Sequence, residues 1–265
     1  MQPESAEAKR ILEQWQLSRL AEPWPDSIRP GPANVTVLAY HFWDPDRMDE
    51  RFPFVEASIR ETWRHCGMMK TVLVCNAECR AAQTFRSLFS EWVFIQIESA
   101  LIPGNIDSMS ADCNGRLASR FDTDYVLIVQ EDGFPLRPGL ENFLGKWDFI
   151  GAPYVRDRFF QNLFCRLFGC WVSNGGFSLR SKRICEAAAA FWNRKYSGRP
   201  GLGIVSEDLY FTRFLPLHER SYRRAFRIAD NRSAALFSVD SIVPMRISEQ
   251  SFGFHRAETF LITRS

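Results

Sequence analysis

Short apolar runs alternate with amphipathic segments along the first half of this 265-residue chain. The apolar runs are rich in β-branched residues, which is typical of strands buried on both faces, and the segments between them have helical spacing. This alternation predicts a parallel sheet wound with helices. The predicted strands are residues 35–40, 71–75, 92–97 and 124–129, and the predicted helices are residues 54–66, 77–89 and 107–120.

The rhythm changes after residue 133, where the predicted elements become shorter and less regular. A glycine- and proline-rich loop is predicted at residues 197–203. The other elements are strands at residues 149–153 and 176–179, helices at residues 181–192 and 207–215, and a β-like segment at residues 234–239.

A separate amphipathic helix is predicted at residues 4–21, and a proline-rich stretch follows it. We therefore predict an N-terminal helix and linker at residues 1–33, and one large α/β domain at residues 34–265. The helix is expected to pack on the main body or to dock a partner.

The composition is that of an ordinary globular protein, with 46% hydrophobic and 24% charged residues. The net charge of +2 gives no reason to expect a nucleic-acid partner. Arginines are concentrated in residues 213–232, which predicts a solvated basic face or a peripheral contact with an anionic substrate or membrane surface. They are Arg213, Arg220, Arg223, Arg224, Arg227 and Arg232.

Seven cysteines are scattered without C-x-x-C spacing, which is typical of reduced core thiols in a cytosolic protein. A zinc site made from Cys75, Cys79, Cys165 and Cys170 is disfavoured by their spacing and by the lack of a suitable histidine. The sequence shows no 18-residue apolar window, and we expect neither a signal segment nor a membrane-spanning helix. We therefore expect a cytoplasmic protein that meets the inner face of the membrane only peripherally.

Gln130, Glu131 and Asp132 directly follow the most apolar predicted strand. Ligands of open α/β sheets collect at the carboxyl ends of the strands. An acidic pair that leaves a buried strand has to be solvated, hydrogen-bonded or bound to a cation, and diphosphate oxygens are natural co-ligands of such a cation. The pair therefore predicts a divalent-cation site. In the alternative, the carboxylates only cap the turn beside Gly133.

Two further groups of polar residues lie in the second half of the chain. Asn174, Gly175 and Gly176 combine a two-way hydrogen-bonding side chain with glycines that let a backbone approach a ligand closely. A plain turn is the alternative. Glu207 and Asp208 open a predicted helix, where one carboxylate is a candidate base for an acceptor hydroxyl. The alternative for this pair is an ordinary helix N-cap.

Nucleotide contacts are predicted from topology alone. Tyr40 and His41 lie at the tip of the first strand, where the donor nucleotide of a doubly wound sheet would cross. Arg116 or Arg120, in the helix before the fourth strand, is predicted to meet its phosphates.

His255 and two tryptophans complete the set of candidates. Neutral imidazole is a good ligand for Mn²⁺, so His255 is a candidate to complete a metal site begun by Asp132. A lone histidine between aromatic residues is equally compatible with the core. Trp147 and Trp171 are candidates for stacking on an acceptor sugar, with core packing as the alternative.

The order of these motifs resembles that of a bacterial glycosyltransferase-like family long catalogued only as a domain of unknown function, and more distantly that of GT-A galactosyltransferases. The motifs are strand-QEDG, WDFIGAPY, SNGGFSLRS, SEDLYF and FGFHR, and the resemblance covers residues 35–256. It implies a GT-A (Rossmann-like) fold with a mixed, mainly parallel central sheet flanked by helices. Residues 34–135 would then be the nucleotide-binding half, and residues 136–265 the acceptor-binding half.

The resemblance also implies roles by position. Gln130, Glu131 and Asp132 occupy the place of the D-x-D metal motif. Gln130 replaces the first aspartate, so a Mn²⁺ or Mg²⁺ ion would rest on Asp132 and His255. The remaining positions are the acceptor loop at Gly175 and Gly176, and the catalytic acid pair at Glu207 and Asp208.

The predicted activity is metal-dependent transfer of a sugar from a nucleotide sugar, expected to be a UDP-sugar, to a saccharide or lipid-linked acceptor. Asp208, or Glu207, would deprotonate the acceptor hydroxyl for inverting attack, and retention stays open. A role in polysaccharide biosynthesis follows by family analogy. The rivals are a non-catalytic nucleotide- or carbohydrate-binding domain and a metal-dependent phosphoesterase.

Overall fold

A six-stranded sheet forms the centre of the protein in the computed structural model, which describes residues 3–24, 28–153, 173–196, 206–240 and 250–256. Its strands are β1 (Val35–His41), β2 (Thr71–Cys75), β3 (Val93–Ile97), β4 (Tyr125–Val129), β6 (Phe149–Pro153) and β7 (Ser173–Ser181). Their order is β3-β2-β1-β4-β7-β6. The first four strands pair in parallel, and β7 runs antiparallel to both β4 and β6. The predicted α/β class with a mixed, mainly parallel sheet is confirmed.

Helices cover both faces of this sheet. The bounds are α1 (Pro3–Ala21), α2 (Pro45–Cys66), α3 (Arg80–Leu88), α4 (Ile106–Arg116), α5 (Lys182–Tyr196), α6 (Glu207–Leu209), α7 (Leu215–His218), α8 (Arg220–Ala225) and α9 (Asn231–Phe237). A π-helical segment, Tyr210–Phe214, joins α6 to α7. Short 3₁₀ turns occupy Leu117–Arg120 and Leu140–Asn142.

Side chains alternate between two hydrophobic cores along β1. Val37 and Ala39 enter one core, which α2 and α3 cover, and Leu38 and Tyr40 enter the other, which α4 and α5 cover. Successive strand residues point to opposite faces, so a strand covered on both sides reads as a continuous apolar run. This is why the central strands could be predicted from the sequence.

Residues 234–239 form a different element from the one predicted. Helix α9 occupies most of this segment, and only Ser238–Val239 (β8) is a strand. The Asp230 side chain caps the helix by accepting from the Ser233 N–H (2.8 Å), and Ala234 and Ala235 favour helix. The β prediction for residues 234–237 is therefore wrong.

Two helices differ from their predicted bounds for local reasons. Helix α2 begins at Pro45 rather than residue 54, because proline at the first helical position suits a helix start. It ends, as predicted, before Gly67, whose φ of 88° favours glycine. The predicted helix at residues 107–120 is α-helical only to Arg116, and a 3₁₀ turn follows.

A second, three-stranded sheet was not predicted. It consists of β5 (Gly133–Pro135), β9 (Gly253–His255) and β8 in the order β5-β9-β8. Strand β9 is antiparallel to β5 and parallel to β8. The small sheet therefore ties the segment after β4 to two segments from the last part of the chain.

Helix α1 packs against α2 and against the segment after β4. The buried Gln16 side chain donates to the carbonyl oxygens of Glu131 (2.6 Å) and Phe54 (3.2 Å). The Trp15 and Phe134 rings stack with centroids 5.8 Å apart. The helix thus supports the turn that follows β4, while the predicted division of the chain at residue 33 stays a prediction.

The cysteines that the structure describes are free and buried. They are Cys66, Cys75, Cys79, Cys113 and Cys185. Burial raises the pKa of the Cys66 and Cys75 thiols to about 12, as expected of inert core thiols. None of the described helices combines the length and apolarity needed to cross a membrane. The predicted loop at residues 197–203 lies outside the described residues.

Candidate functional site

A tight turn follows β4 at the point where the order of the strands reverses. Gln130 and Gly133 exchange backbone hydrogen bonds (3.0 and 3.1 Å), which leaves Glu131 and Asp132 at the two central positions. Strands β2 and β3 lie on one side of β1, and β4 lies on the other. The carboxyl ends of β1 and β4 therefore flank the crevice where open α/β sheets bind their ligands.

The small sheet brings two distant side chains, His255 and Asp240, to this turn. Gly133 pairs with His255 across β5 and β9, so His255 lies beside Asp132. Strand β8 is parallel to β9, and Asp240, directly after β8, reaches the same edge. His255 Nε2 lies 3.9 Å from Asp132 Oδ1 and 3.2 Å from Gln130 Oε1. On the other side of the ring, His255 Nδ1 lies 3.6 Å from Asp240 Oδ2.

The charge on His255 is set by its two acidic neighbours. Burial alone would lower the pKa of this imidazole, but Asp240 and Asp132 outweigh burial, so the pKa lies above its ordinary value. The charged imidazole carries a proton on each ring nitrogen, so a cation could bind at Nε2 only after the Nε2 proton is lost. The histidine is buried, as the core alternative expected, and it also faces the predicted metal ligand Asp132.

Gly175 and Gly176 are required by close packing on both faces of β7. A Cβ on Gly176 would lie 2.2 Å from His255 Nε2 and 2.5 Å from Gln130 Oε1. A Cβ on Gly175 would lie 2.3 Å from Glu207 Oε1. Neighbouring strand residues point to opposite faces, so these glycines separate a histidine cluster from a glutamate cluster. The plain-turn alternative is wrong, because both glycines lie within a strand.

The glutamate cluster is a buried charge pair. Glu207 accepts from Ser110 Oγ (3.2 Å), and its Oε1 lies 3.7 Å from Nη2 of Arg180. Burial raises the pKa of the Glu207 carboxyl, and Arg180 offsets this only in part. The fully buried Arg180 guanidinium lies over the rings of Phe149 (4.9 Å) and Phe211 (4.8 Å). A carboxylate with a raised pKa at the edge of a crevice is suited to proton transfer.

Asp208 has a different environment from its neighbour. Its Oδ1 accepts from the Ser206 hydroxyl and from the Leu209 N–H, both at 2.6 Å. The N-cap residue of α6 is Ser206, which makes no side-chain capping bond, and Asp208 is an acidic residue of the first turn whose carboxylate is held by local hydrogen bonds.

Tyr40, Arg116 and Arg120 belong to one polar network, buried at Tyr40 and exposed at Arg116, rather than to the histidine cluster. Tyr40 donates to Asp112 (2.9 Å), Arg120 pairs with Asp112 and Glu98, and Arg116 pairs with Glu98 (2.6 Å). The pKa of the Tyr40 phenol lies well above its ordinary value, chiefly because the side chain is buried and also because Cys113 and Asp112 lie nearby. Nucleotide contacts of these side chains stay a prediction.

His41 is a core residue in this structure. Its ring is fully buried, and Nε2 donates to the Met48 carbonyl oxygen (2.9 Å). Burial lowers its pKa to about 4, so the ring is neutral at physiological pH. A direct contact with nucleotide stays a prediction, and it would require this ring to leave its position.

Three further candidates have partners inside the protein. Glu131 pairs with Arg51 of α2 (2.8 Å), and the half-buried Trp147 packs on the core. Asn174 donates to Asp240 Oδ2 (3.0 Å) and accepts from the Gly176 N–H (2.8 Å). Asn174 thus supports Asp240. Ligand contacts of all three stay predictions, and Trp171 lies outside the described residues.

Sequence reasoning missed Asp240 and Arg180. Asp240 directly follows an apolar segment that ends at Val239, the same signal that singled out the acidic pair after β4. Arg180 is a lone charge within a buried strand, and such a charge requires a partner. Both signals are visible in the sequence, and Asp240 even follows the segment at residues 234–239 that was predicted to be β-like.

The donors present suit a cation that is shared with a ligand. No group of three or more His, Cys, Asp or Glu side chains able to hold a metal ion occurs in the described residues. Asp132 and His255 offer two donors, and Gln130 adds a neutral oxygen nearby. Mg²⁺ typically takes one or two carboxylates together with substrate phosphates and water. The set fits a divalent cation that is completed by phosphate oxygens.

Exposed arginines extend over the predicted basic stretch. They are Arg213, Arg223, Arg224, Arg227 and Arg232. Contact of this face with an anionic substrate or a membrane surface stays a prediction.

Residues 113–255 match a family described as "Protein of unknown function (DUF5672)". The match covers more than half of the chain, so this protein belongs to that family. Membership of a family catalogued without a function is thereby confirmed, whereas the likeness to galactosyltransferases stays a prediction. No curated protein sequence matches the chain.

Solved structures with a similar fold include several glycosyltransferases. Core-mannan synthase A from Aspergillus fumigatus, in an Mn/GDP form, is 9% identical, with 78% of this chain and 73% of that chain covered and a TM-score of 0.46. The glycosyltransferase GlyE from Streptococcus pneumoniae is 13% identical, with 76% and 46% covered and a TM-score of 0.44.

A mannosyltransferase from Pyrobaculum calidifontis, in complex with GDP-Man and Mn²⁺, is 13% identical. Here 69% of this chain and 55% of that chain are covered, with a TM-score of 0.36. The chain thus spans about half the length of this protein and of the Streptococcus glycosyltransferase.

The two glycines can be tested separately by replacement with alanine. Gly176→Ala is expected to displace the His255 ring, and Gly175→Ala to displace Glu207, because each added methyl group would overlap that side chain. Each change should cost about 1–3 kcal/mol of unfolding free energy, as overpacking does. Imidazole resonances of ¹⁵N-histidine should shift for His255 in Gly176→Ala and remain in place in Gly175→Ala. Unchanged His255 resonances in Gly176→Ala would contradict this geometry.

Proposed function

We propose that the protein is a GT-A-type glycosyltransferase that transfers a sugar from a nucleoside-diphosphate sugar to a hydroxyl group of a saccharide or lipid-linked acceptor. The observation that carries the proposal is one juxtaposition at the carboxyl edge of the sheet. There the glycine pair of β7 separates a metal-type donor set, Asp132 and His255, from a buried carboxylate, Glu207. The first suits a diphosphate leaving group, and the second suits removal of a proton from the attacking hydroxyl.

Asp132 and His255 are the residues that would hold a Mn²⁺ or Mg²⁺ ion in this proposal. When bound, such an ion neutralises the negative charge that develops on the departing nucleoside diphosphate. Two protein donors alone hold a hard cation weakly, so we expect tight binding only when diphosphate oxygens are present. Gln130, which stands in place of an acid, adds no negative charge and so also makes cation binding depend on the diphosphate.

Glu207 is the better candidate base of the acidic pair. Its buried carboxylate has a raised pKa, which brings it closer to the pH at which a base is most effective. In the proposed step, the acceptor oxygen forms a bond to the anomeric carbon and the bond from that carbon to the diphosphate oxygen breaks. The hydroxyl proton passes to Glu207, which Ser110 helps to orient. A single displacement of this kind inverts the anomeric centre.

The donor panel for testing contains both UDP- and GDP-sugars. A UDP-sugar is the expectation from the sequence motifs, and GDP or GDP-Man is named with two of the structures described above. The sugar, the acceptor and the linkage are to be found by screening.

Replacement of Asp132 tests the metal half of the proposal. In isothermal titration calorimetry, the wild-type protein should bind UDP or GDP at least about tenfold more tightly with Mn²⁺ than without it, because Asp132 would hold a cation that neutralises the diphosphate charge. Asp132→Asn should lose this dependence while its thermal unfolding stays close to wild type. The matched control is Asp122→Asn, an exposed aspartate that pairs with Lys70 at the opposite edge of the sheet.

Two outcomes of this titration would count against the proposal. Mn²⁺-dependent binding that survives in Asp132→Asn would remove Asp132 from the site. A wild-type protein that binds none of the nucleotides, with or without Mn²⁺, would leave no support for the metal half.

Replacement of the two neighbouring acids tests the base. Glu207→Gln should lower the rate of sugar transfer by about 10²–10⁴-fold, the usual contribution of a general base, with little change in donor affinity. Asp208→Asn should lower it by less than about tenfold, because this carboxylate is engaged at the helix start. A larger loss in Asp208→Asn than in Glu207→Gln would reverse the assignment.

A further inference from the structure

Asp240 is a buried carboxylate surrounded by potential donors at the edge of the small sheet. Its Oδ2 accepts from Asn174 Nδ2 (3.0 Å) and lies 3.6 Å from His255 Nδ1. Its Oδ1 lies 3.5 Å from Nε of Arg256. A carboxylate held in this way has a fixed position, and the proposed reaction has not yet given it a role.

The two nitrogens of the His255 ring face different groups. Nε2 points towards Asp132 and Gln130, whereas Nδ1 points towards Asp240. Nδ1 is buried and has no hydrogen-bond partner within ordinary distance. A buried polar atom without a hydrogen-bond partner is unfavourable, so a small closure of the gap between Nδ1 and Asp240 is favourable. Functional hydrogen bonds are often long before a ligand binds and tighten afterwards.

We propose that Asp240 is the positioning residue of the metal site. Its carboxylate accepts a hydrogen bond from Nδ1–H of His255, which leaves the unprotonated Nε2 on the side of Asp132. Histidines that bind metals usually donate their other ring nitrogen to a carboxylate or carbonyl group, which fixes the tautomer and the orientation of the ring. The assignment of His255 as a ligand rests on the function proposed above, whereas the tautomer can be tested without it.

Asp240 is placed to orient the ligand and not to share the ion. It lies on the Nδ1 side of the ring, and Asp132 lies on the Nε2 side, so one ion at Nε2 cannot contact both carboxylates directly. The Gln130 side chain is compatible with this tautomer, because its amide can present either an oxygen or an NH₂ group to the ring.

The backbone beside His255 is also held against the turn. Arg256 has a φ of 75°, in the left-handed region that is unfavourable for residues other than glycine. Its N–H donates to the carbonyl oxygen of Asp132 (2.7 Å). Such strain persists where the surrounding structure fixes the conformation. This backbone bond and the Asp240 contact together hold the ring and Asp132 in one arrangement.

The tautomer of His255 can be read in the metal-free protein by long-range ¹H–¹⁵N NMR. The chain has four histidines, and His255→Gln assigns the resonance. At a pH where the ring is neutral, the wild type should show a proton on Nδ1. Asp240→Ala should move that proton to Nε2, and Asp240→Asn, which keeps an acceptor oxygen, should give a smaller change. A wild-type proton on Nε2, or a proton that stays on Nδ1 in Asp240→Ala, would overturn the proposal.

The affinity for Mn²⁺ in the presence of UDP or GDP supplies the second readout. Loss of a residue that orients a metal ligand typically weakens metal binding by 10–100-fold, which is the expectation for Asp240→Ala. Asp240→Asn should lose less, and unchanged affinity in Asp240→Ala would overturn the metal part of the proposal. If Asp240→Ala does not fold, Asp240→Asn takes its place in both readouts, and no change in either would overturn the proposal.

Asp148→Asn is the control for structural damage. Asp148 is a buried aspartate that accepts from Ser181 (2.7 Å) and pairs with Arg183, outside the His255 cluster. Its loss should lower stability while leaving the His255 tautomer unchanged. If the wild type binds no Mn²⁺ with any nucleotide, the proposed function fails. The NMR result then still decides whether Asp240 fixes the ring.

Discussion

The pairing of β9 with β5, in the register that sets His255 opposite Gly133, is the constraint on which the candidate site depends. Backbone hydrogen bonds in a ladder fix a side chain much more closely than a loop does. This pairing places a residue from the end of the described chain beside the turn that follows the central strand. Gly133 permits it, because a Cβ there would lie 2.9 Å from the His255 ring.

Close packing also explains why β7 contains two adjacent glycines, Gly175 and Gly176. Two polar clusters come close to one strand from its two faces, and a side chain on either glycine would displace one of them. One cluster holds a histidine between two aspartates, and the other holds a glutamate beside a buried arginine. Buried charges are stable only when they are paired, so both clusters require the partners that the structure gives them. The apolar remainder of the sheet keeps these groups at fixed positions.

The sequence predicts the central sheet because its strands are buried on both faces and read as apolar runs. The sequence also indicates five candidate site residues, because each is a polar or glycine residue at the end, the start or the interior of a predicted element or between aromatic residues. They are Asp132, Gly175, Gly176, Glu207 and His255. The sequence does not show which partner each side chain finds. His41 and Arg120 lie near the predicted edge of the sheet, yet their contacts are to Met48 and to Asp112 and Glu98 inside the protein.

The small sheet could not be predicted from the sequence because its strands are too short. Its strands contain only two or three residues each, too few to show a period, and their pairing is long-range. Asp240 was missed with it, because its role depends on the position of β8 beside β9. Arg180 was missed since its partner, Glu207, is contributed by a helix after the strand.

The most direct test of the central claim is to identify the nucleotide released when the purified protein is incubated with UDP- and GDP-sugars and Mn²⁺. Chromatography of the products distinguishes nucleoside diphosphate from nucleoside monophosphate. A glycosyltransferase should release nucleoside diphosphate from one donor class, and the release should increase when a suitable acceptor is added. Release of nucleoside monophosphate would instead identify a phosphoesterase, and no turnover of any donor would favour a non-catalytic binding domain; either result would contradict the account.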